Sequence, residues 1–487
     1  MDGHGSEQRS APTTRRTFLA TTAATAVTAA VTTSPLLAGS ASAAPATEGF
    51  SAPGPGQPVA PQRPDRLLRD LLREVDHRRI EATVRRLAAF GTRHTLSTQD
   101  DPVRGIGAAR DWIYDQLQGI AATSGGRMTV QRQSFVQPVS PRIPAPTTIT
   151  NVVATLRGTT SPDRVYVVSG HYDSRVTDVM NFTSDAPGAD DDASGVAAVL
   201  ELARLMATRP IAATIIFVAV AGEEQGLYGS AFMASQLKAA GVDVQGMFSN
   251  DIIGTGNAHD GTAADPRTIR LFVEGVPTSE TAAQASIRQS VGGENDGPAR
   301  QLGRFVQSVA ENEFTDMRVR VIWRRDRFLR GSDHISFLQQ GYPAARFTEP
   351  RENFAHEHQD TRVENGVQFG DLPEFCDFDY IARVTRVNAA AVWSLAQGPG
   401  TPKGVKVLTS QLTNDTTLQW LRGSEPDLAG YEVVWRETTA ADWTHAIGVG
   451  DVVSTTIDLS KDNVQFGVRA VDHNGRRSPV AFPVPSA

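Results

Sequence analysis

The chain of 487 residues contains a single cysteine, Cys376. A disulfide within one chain is therefore excluded, and so is a zinc site built on cysteines. A lone cysteine is more often a small buried hydrophobe than a nucleophile, and nothing near Cys376 argues otherwise. No block of lysine and arginine appears, nor any motif of an RNA-binding module, so nucleic acid is not expected as a partner. The net charge of -7 is spread along the chain. Long apolar runs are also missing. The one weakly apolar stretch, after Arg16, is broken by Thr and Ser and closed by Pro35, which argues against a membrane anchor.

What is present at the amino terminus reads as an address. Thr14-Arg15-Arg16-Thr17-Phe18-Leu19 resembles a twin-arginine signal, and Ala41-Ser42-Ala43 fits a cleavage site. Residues 1–43 are thus expected to direct export of a folded protein to the cell envelope or beyond, with no stable membrane insertion after cleavage. Residues 44–64, rich in Pro, Gly and Ala, read as a flexible linker.

From residue 65 to 397 the pattern alternates between helix and strand. Leu67, Leu68, Leu71, Leu72 and Val75 make one helical stripe, and Ile80, Val84 and Leu87 another. Strands are expected at 128–136, 149–156, 165–169, 213–220, 247–253, 318–323 and 344–347. Helices are expected at 107–120, 194–206, 230–240, 300–314, 332–340 and 378–396. This order predicts an α/β fold, with a mixed, mainly parallel sheet covered by helices on both faces. The irregular section 257–330 is expected to shape a substrate pocket. After a short linker, 398–402, five half-buried strands at regular spacing predict a small all-β sandwich over 403–487. Trp420, Tyr431 and the run Val468 to Gly475 make it similar to a fibronectin type III module. It carries no acid or histidine cluster, so a spacer or packing role is expected.

The chemistry gathers at strand ends. The run Val165 to Val168 leads into Gly170-His171-Tyr172-Asp173-Ser174, and an acidic triplet, Asp190-Asp191-Asp192, follows before a helix. The apolar run Ala213 to Val220 leads into Glu223-Glu224. A shorter strand ends near Asp251, and His356-Glu357-His358 lies beyond the last strand. Ligands bind in the crevice outside the carboxyl ends of the strands of such sheets. Adjacent carboxylates repel one another unless a cation neutralises them. Imidazole and carboxylate groups in that crevice therefore predict a divalent metal site, with a bridging carboxylate if two metals are held. His94 is expected to be a loop histidine bonded to backbone, and Ser332 or Asp333 to cap the helix that follows.

In combination these segments resemble the family-28 zinc metallopeptidases, the co-catalytic aminopeptidases, over about residues 66–396. The resemblance implies a zinc exopeptidase-like fold, two zinc ions and peptide or protein substrates cut at the amino terminus by a monomer. It implies His171 and Asp251 on the first zinc, Asp191 between the metals, Glu224 and His356 on the second, and Glu223 as general base. His356 is preferred over His358 because it stands four residues before Asp360-Thr361. Asp173 would hold the imidazole of His171, Asp333 and His334 would lie beside the substrate pocket, and the Asp191–Asp192 peptide would be cis. A one-zinc glutaminyl cyclase, a carboxypeptidase and a non-catalytic binding protein are the alternatives on the same scaffold.

Overall fold

The computed structural model describes residues 54–257 and 263–486. The expected export signal, 1–43, lies outside the described residues, as do residues 44–53 of the expected linker. Among the described residues no helix is long and apolar enough to cross a membrane.

The centre is an eight-stranded sheet. Its strands in chain order are β1 (Met128–Gln137), β2 (Thr147–Leu156), β3 (Ser161–His171), β4 (Ala213–Val220), β5 (Asp243–Asn250), β6 (Thr268–Val273), β7 (Arg318–Ile322) and β8 (Ala344–Thr348). They lie side by side as β1-β2-β4-β3-β5-β8-β6-β7. Neighbours β4 and β3, β3 and β5, β5 and β8, and β6 and β7 run parallel; the other three contacts are antiparallel. The sheet is thus more evenly mixed than expected, because β1 and β2 form an antiparallel edge and β6 reverses against β8.

Alternation decides which layer each side chain enters. Tyr166, Val168, Ile215, Phe217 and Ala219 face a layer holding the helices Arg66–Arg73, His77–Ala88, Gly105–Ala122, Gly195–Ala207 and Phe378–Gln397. Val165, Val167, Ile216, Val218 and Val220 face the helices Tyr228–Ala239 and His334–Gln339. Both faces of β3 and β4 are therefore apolar, as a parallel pair buried on two sides requires. Asp65, Asp76 and Asp377 each accept a backbone N–H from the first turn of the helix they precede. Asp333 makes no such bond, so the expected side-chain cap on the helix starting at His334 is not formed.

Two glycines allow the site to be built. A Cβ on Gly170 would lie 2.5 Å from the backbone of Gly195, and one on Gly195 would lie 2.5 Å from the Asp192 carboxylate. The end of β3 and the start of the helix Gly195–Ala207 can meet only because neither residue has a side chain.

Residues 403–486 form two four-stranded sheets. One holds Ser454–Ile457, Thr416–Leu421, Lys403–Leu408 and Val484–Ser486; the other holds His445–Gly450, Leu428–Glu437 and Val464–Asp472. The latter sheet takes its fourth strand from Gln57–Pro58, which pairs with Ala446 and His445. The carboxyl half of the expected linker is therefore tied down, and Trp435 donates its indole N–H to the Pro55 carbonyl at 2.8 Å. Between the sheets lie Leu418, Trp420, Tyr431, Val433, Trp435, Phe466 and Val468.

The opposite face of Leu428–Glu437 is buried too. Val434 packs with Trp443 and Val480, and Arg436 pairs with Asp296 at 2.7 Å. Trp443 donates to Gln301 at 2.9 Å, and Arg304 donates to the Ala441 carbonyl. The section expected to shape a pocket thus supplies, in the helix Pro298–Ala310 and the turn before it, the seat for the sandwich. Docking, not spacing, is what the apolar second face of that strand does.

Asp296 is fully buried among Arg304 and Arg436. Replacing it with Ala takes the carboxylate from buried Arg436 and leaves buried Arg304 only the more distant Asp442, a change that costs about 3–5 kcal/mol. Chemical denaturation of Asp296→Ala should show a loss of that size; a loss below about 1 kcal/mol, the size of a surface pair, would contradict it.

Candidate metal centre

Five side chains meet at the carboxyl end of β3, β4 and β5. His171 ends β3, and its Nε2 lies 3.0 Å from Asp191 Oδ1 and 4.0 Å from Asp251 Oδ1. His358 Nε2 lies 2.7 Å from Asp191 Oδ2 and 3.1 Å from Glu224 Oε1. The two oxygens of Asp191 thus face two different histidines. Zinc takes nitrogen and oxygen donors at roughly 2 Å, so donors on one ion stand about 3 Å apart. The contacts of Asp191 with both histidines and of His358 with Glu224 have that spacing, His171 and Asp251 stand wider at 4.0 Å, and the donor set suits zinc. The Asp191–Asp192 peptide is cis, in line with the resemblance.

His356 is the exception among the expected ligands. Its ring stacks on Phe375 with centroids 3.5 Å apart, and its Nδ1 meets the Asn353 side-chain amide at 2.8 Å. The backbone turns at His358, which sits at φ +53, and it is His358 whose Nε2 meets Asp191 and Glu224, while His356 lines a small cavity beside Asp190, Asp191 and Asp371. Spacing to Asp360 does not record such a turn.

The candidate ligands are held by groups around them, and Arg175 serves both Glu224 and His358. His171 Nδ1 faces the backbone carbonyl of Asp173 at 3.1 Å, which fixes Nε2 as the free nitrogen. The carboxylate of Asp173 stands 3.6 Å from the same nitrogen and has further partners. It accepts the N–H of Glu223 at 3.3 Å, the N–H of Glu224 at 3.1 Å and the hydroxyl of Thr95 at 3.0 Å. One residue therefore fixes the first histidine and the turn that carries both glutamates. Glu224 Oε2 accepts from Arg175 at 2.8 Å. Asp251 Oδ1 accepts from Arg346 at 2.9 Å, and Arg346 also pairs with Asp326 at 3.1 Å. His334 stands 3.5 Å from Asp326 and so reaches the site only through that chain. Asp333 is fully buried, and desolvation pushes its carboxyl up to about 7.

The acidic triplet is divided among three jobs. Asp192 accepts the N–H of His171 and of Gly195, both at 2.9 Å, and locks strand to helix. Asp190 accepts the N–H of Gly254 at 2.6 Å. Only Asp191 faces both histidines. Asp371 holds this loop by accepting the N–H groups of Asp190 and Asp191, both at 2.8 Å. Arg93, fully buried, spends its guanidinium on the carbonyls of Leu87, Tyr172, Pro187 and Gly188. Neither Arg93 nor Asp371 was singled out by sequence. The nearby His94 bonds the Val179 carbonyl at 2.9 Å, as expected of a loop histidine.

Electrostatics follow from this packing. Burial pushes the Asp191 carboxyl up, but His358 and His171 outweigh it and hold it well below the usual range. Burial depresses His171, yet Asp173 and Asp191 raise it well above its ordinary value. Desolvation raises Glu223, and the charges of Asp251, Glu224 and Asp333 add to that, against the pull of His171. Such a surplus of buried negative charge calls for a cation.

Replacing His358 with Ala should weaken one zinc equivalent by at least about 10-fold, while His356→Ala keeps both. Zinc content after dialysis checks this; loss of zinc from His356→Ala alone would contradict it.

With the geometry established, comparison with known proteins gives the family. Residues 151–365 match Peptidase family M28. A probable zinc metalloprotease of Pyricularia oryzae is 57% identical over 436 residues, 88% of this chain and 87% of the relative. Another, from Leptosphaeria maculans, is 54% identical over 87% of this chain and 98% of its own. The LapA aminopeptidase structure from Legionella pneumophila covers 68% of this chain and 74% of its own, at 16% identity and a TM-score of 0.47, a likeness too remote to assign a substrate. The chain belongs to peptidase family M28 and is a zinc metalloprotease of that family.

Proposed function

We propose that this metalloprotease is an exported aminopeptidase that holds two zinc ions. His171, Asp191 and Asp251 would hold the first; Asp191, Glu224 and His358 the second. The observation that carries the two-metal reading is the Asp191 carboxylate, with one oxygen 3.0 Å from His171 and the other 2.7 Å from His358. Zinc, when bound, supplies Lewis acidity that polarises a scissile carbonyl and makes water easier to deprotonate.

Glu223 takes the proton of the attacking water and returns it to the leaving amine. Its direction is set by the Asp173 carboxylate, which grips the N–H groups of Glu223 and Glu224. Carboxylates outnumber cations around His171, with Asp173, Asp251, Glu223 and Asp333 set against Arg346. The choice of a substrate with a free α-ammonium rests on the resemblance to the co-catalytic aminopeptidases. The segment Thr14 to Leu19 supports export of the folded protein.

Aminoacyl-anilides with a free amine should be cleaved, their amino-blocked forms should not, and a chelator should abolish cleavage until zinc is restored. Release of a carboxy-terminal residue from blocked peptides, or cyclisation of amino-terminal glutamine without hydrolysis, would replace this reading. Glu223→Gln should keep its zinc and lose about 10²–10⁴-fold in turnover. Retention of more than about a tenth of the activity would exclude Glu223 as the base.

A further inference from the structure

Glu357 lies between the two histidines of the 356–358 turn. Glu357 is 8% exposed. One of its oxygens, Oε1, pairs with Arg330. The other, Oε2, has no hydrogen-bond partner. A buried carboxylate oxygen without a partner costs about 1–3 kcal/mol, so its position needs a reason.

The grouping of the side chains supplies one: a ligand atom of Glu357, one of Asp191 and one of His358 all lie within 4.8 Å of one another. Neighbouring side chains seldom converge on one point. Here the left-handed conformation of His358, φ +53, brings Glu357 and His358 to the same carboxylate. Arg330 is itself anchored on Glu352 at 2.8 Å, and so it fixes one Glu357 oxygen and leaves the other free.

We propose that Glu357 is a fourth protein ligand of the second metal, beside Asp191, Glu224 and His358. This rests on the two-metal reading above. Zinc with four protein ligands is closed, whereas zinc with three keeps a position for water or substrate. The two sites are then unequal. The second would have one more protein ligand than the first and would bind zinc more tightly.

Titration of chelator-stripped full-length protein with zinc, against a competing chromophoric chelator, tests this. The wild type should bind one equivalent tightly and a second more weakly. Glu357→Gln, which keeps the shape and removes the charge, should weaken the tight equivalent by about 10-fold or more. Arg330→Gln, which removes the ion pair and keeps the carboxylate, should weaken it less. Tight binding unchanged in Glu357→Gln, or an equal loss in the two variants, overturns the assignment and makes Glu357 a partner of Arg330 alone. If Glu357→Gln fails to fold, Glu357→Asp decides: a weakened tight site supports the proposal, and wild-type affinity overturns it. Fewer than two equivalents in the wild type would overturn the two-metal reading itself, a result separate from the variants.

Discussion

The structure depends on one carboxylate reached from two sides. Asp191 is buried, its two oxygens face His171 and His358, and the acids Asp190, Asp192, Glu224, Asp251 and Glu357 stand close by. Burying so many carboxylates together is unfavourable in an apolar interior. Hydrogen bonds and arginines offset part of the cost. Asp192 and Asp371 are satisfied by backbone N–H groups, Glu224 by Arg175, and Asp251 by Arg346. The charge left over is what divalent cations are suited to neutralise.

Around that carboxylate, positioning is done by groups that never touch a metal. The Asp173 carboxylate ties β3 to the glutamate turn after β4. Arg93 pins the loop before the acidic triplet, and Asp371 pins the triplet's own backbone. Gly170 and Gly195 remove the bulk that would keep strand and helix apart. The mixed sheet supplies the frame, because its parallel centre brings β3, β4 and β5 to one edge of the site with their carboxyl ends together. The sandwich adds stability from outside this frame. Its strand Leu428–Glu437 is buried on both faces, against its own sheet partner on one and against Asp296, Gln301 and Arg304 on the other.

Much of this was legible in the residues themselves. The apolar runs at Val165 and Ala213 announce buried strands, and the acids and histidine that follow them fall at strand ends by simple counting. His171, Asp191, Glu224 and Asp251 come together at those strand ends, though the family resemblance, not the counting, singled out Asp191 within its triplet and Glu224 beside Glu223. The choice between His356 and His358 was not legible, because a left-handed residue decides it and no local spacing encodes that turn. Arg93, Arg175, Arg346 and Asp371 were also hidden. Their partners include residues 49 to 181 positions away in sequence, so only the folded chain displays them. The docking face of the sandwich left a faint trace. Tyr431-Glu432-Val433-Val434-Trp435 breaks the alternation of a strand with one wet face, and Val434 is the residue that breaks it.

The account turns on two cations sharing Asp191. Crystals of the zinc-loaded protein, measured across the zinc absorption edge, test it most directly. Two anomalous peaks about 3.5–4 Å apart are predicted, one beside His171 and Asp251 and the other beside Glu224 and His358, with Asp191 between them. A single peak, or zinc bound away from Asp191, would contradict it.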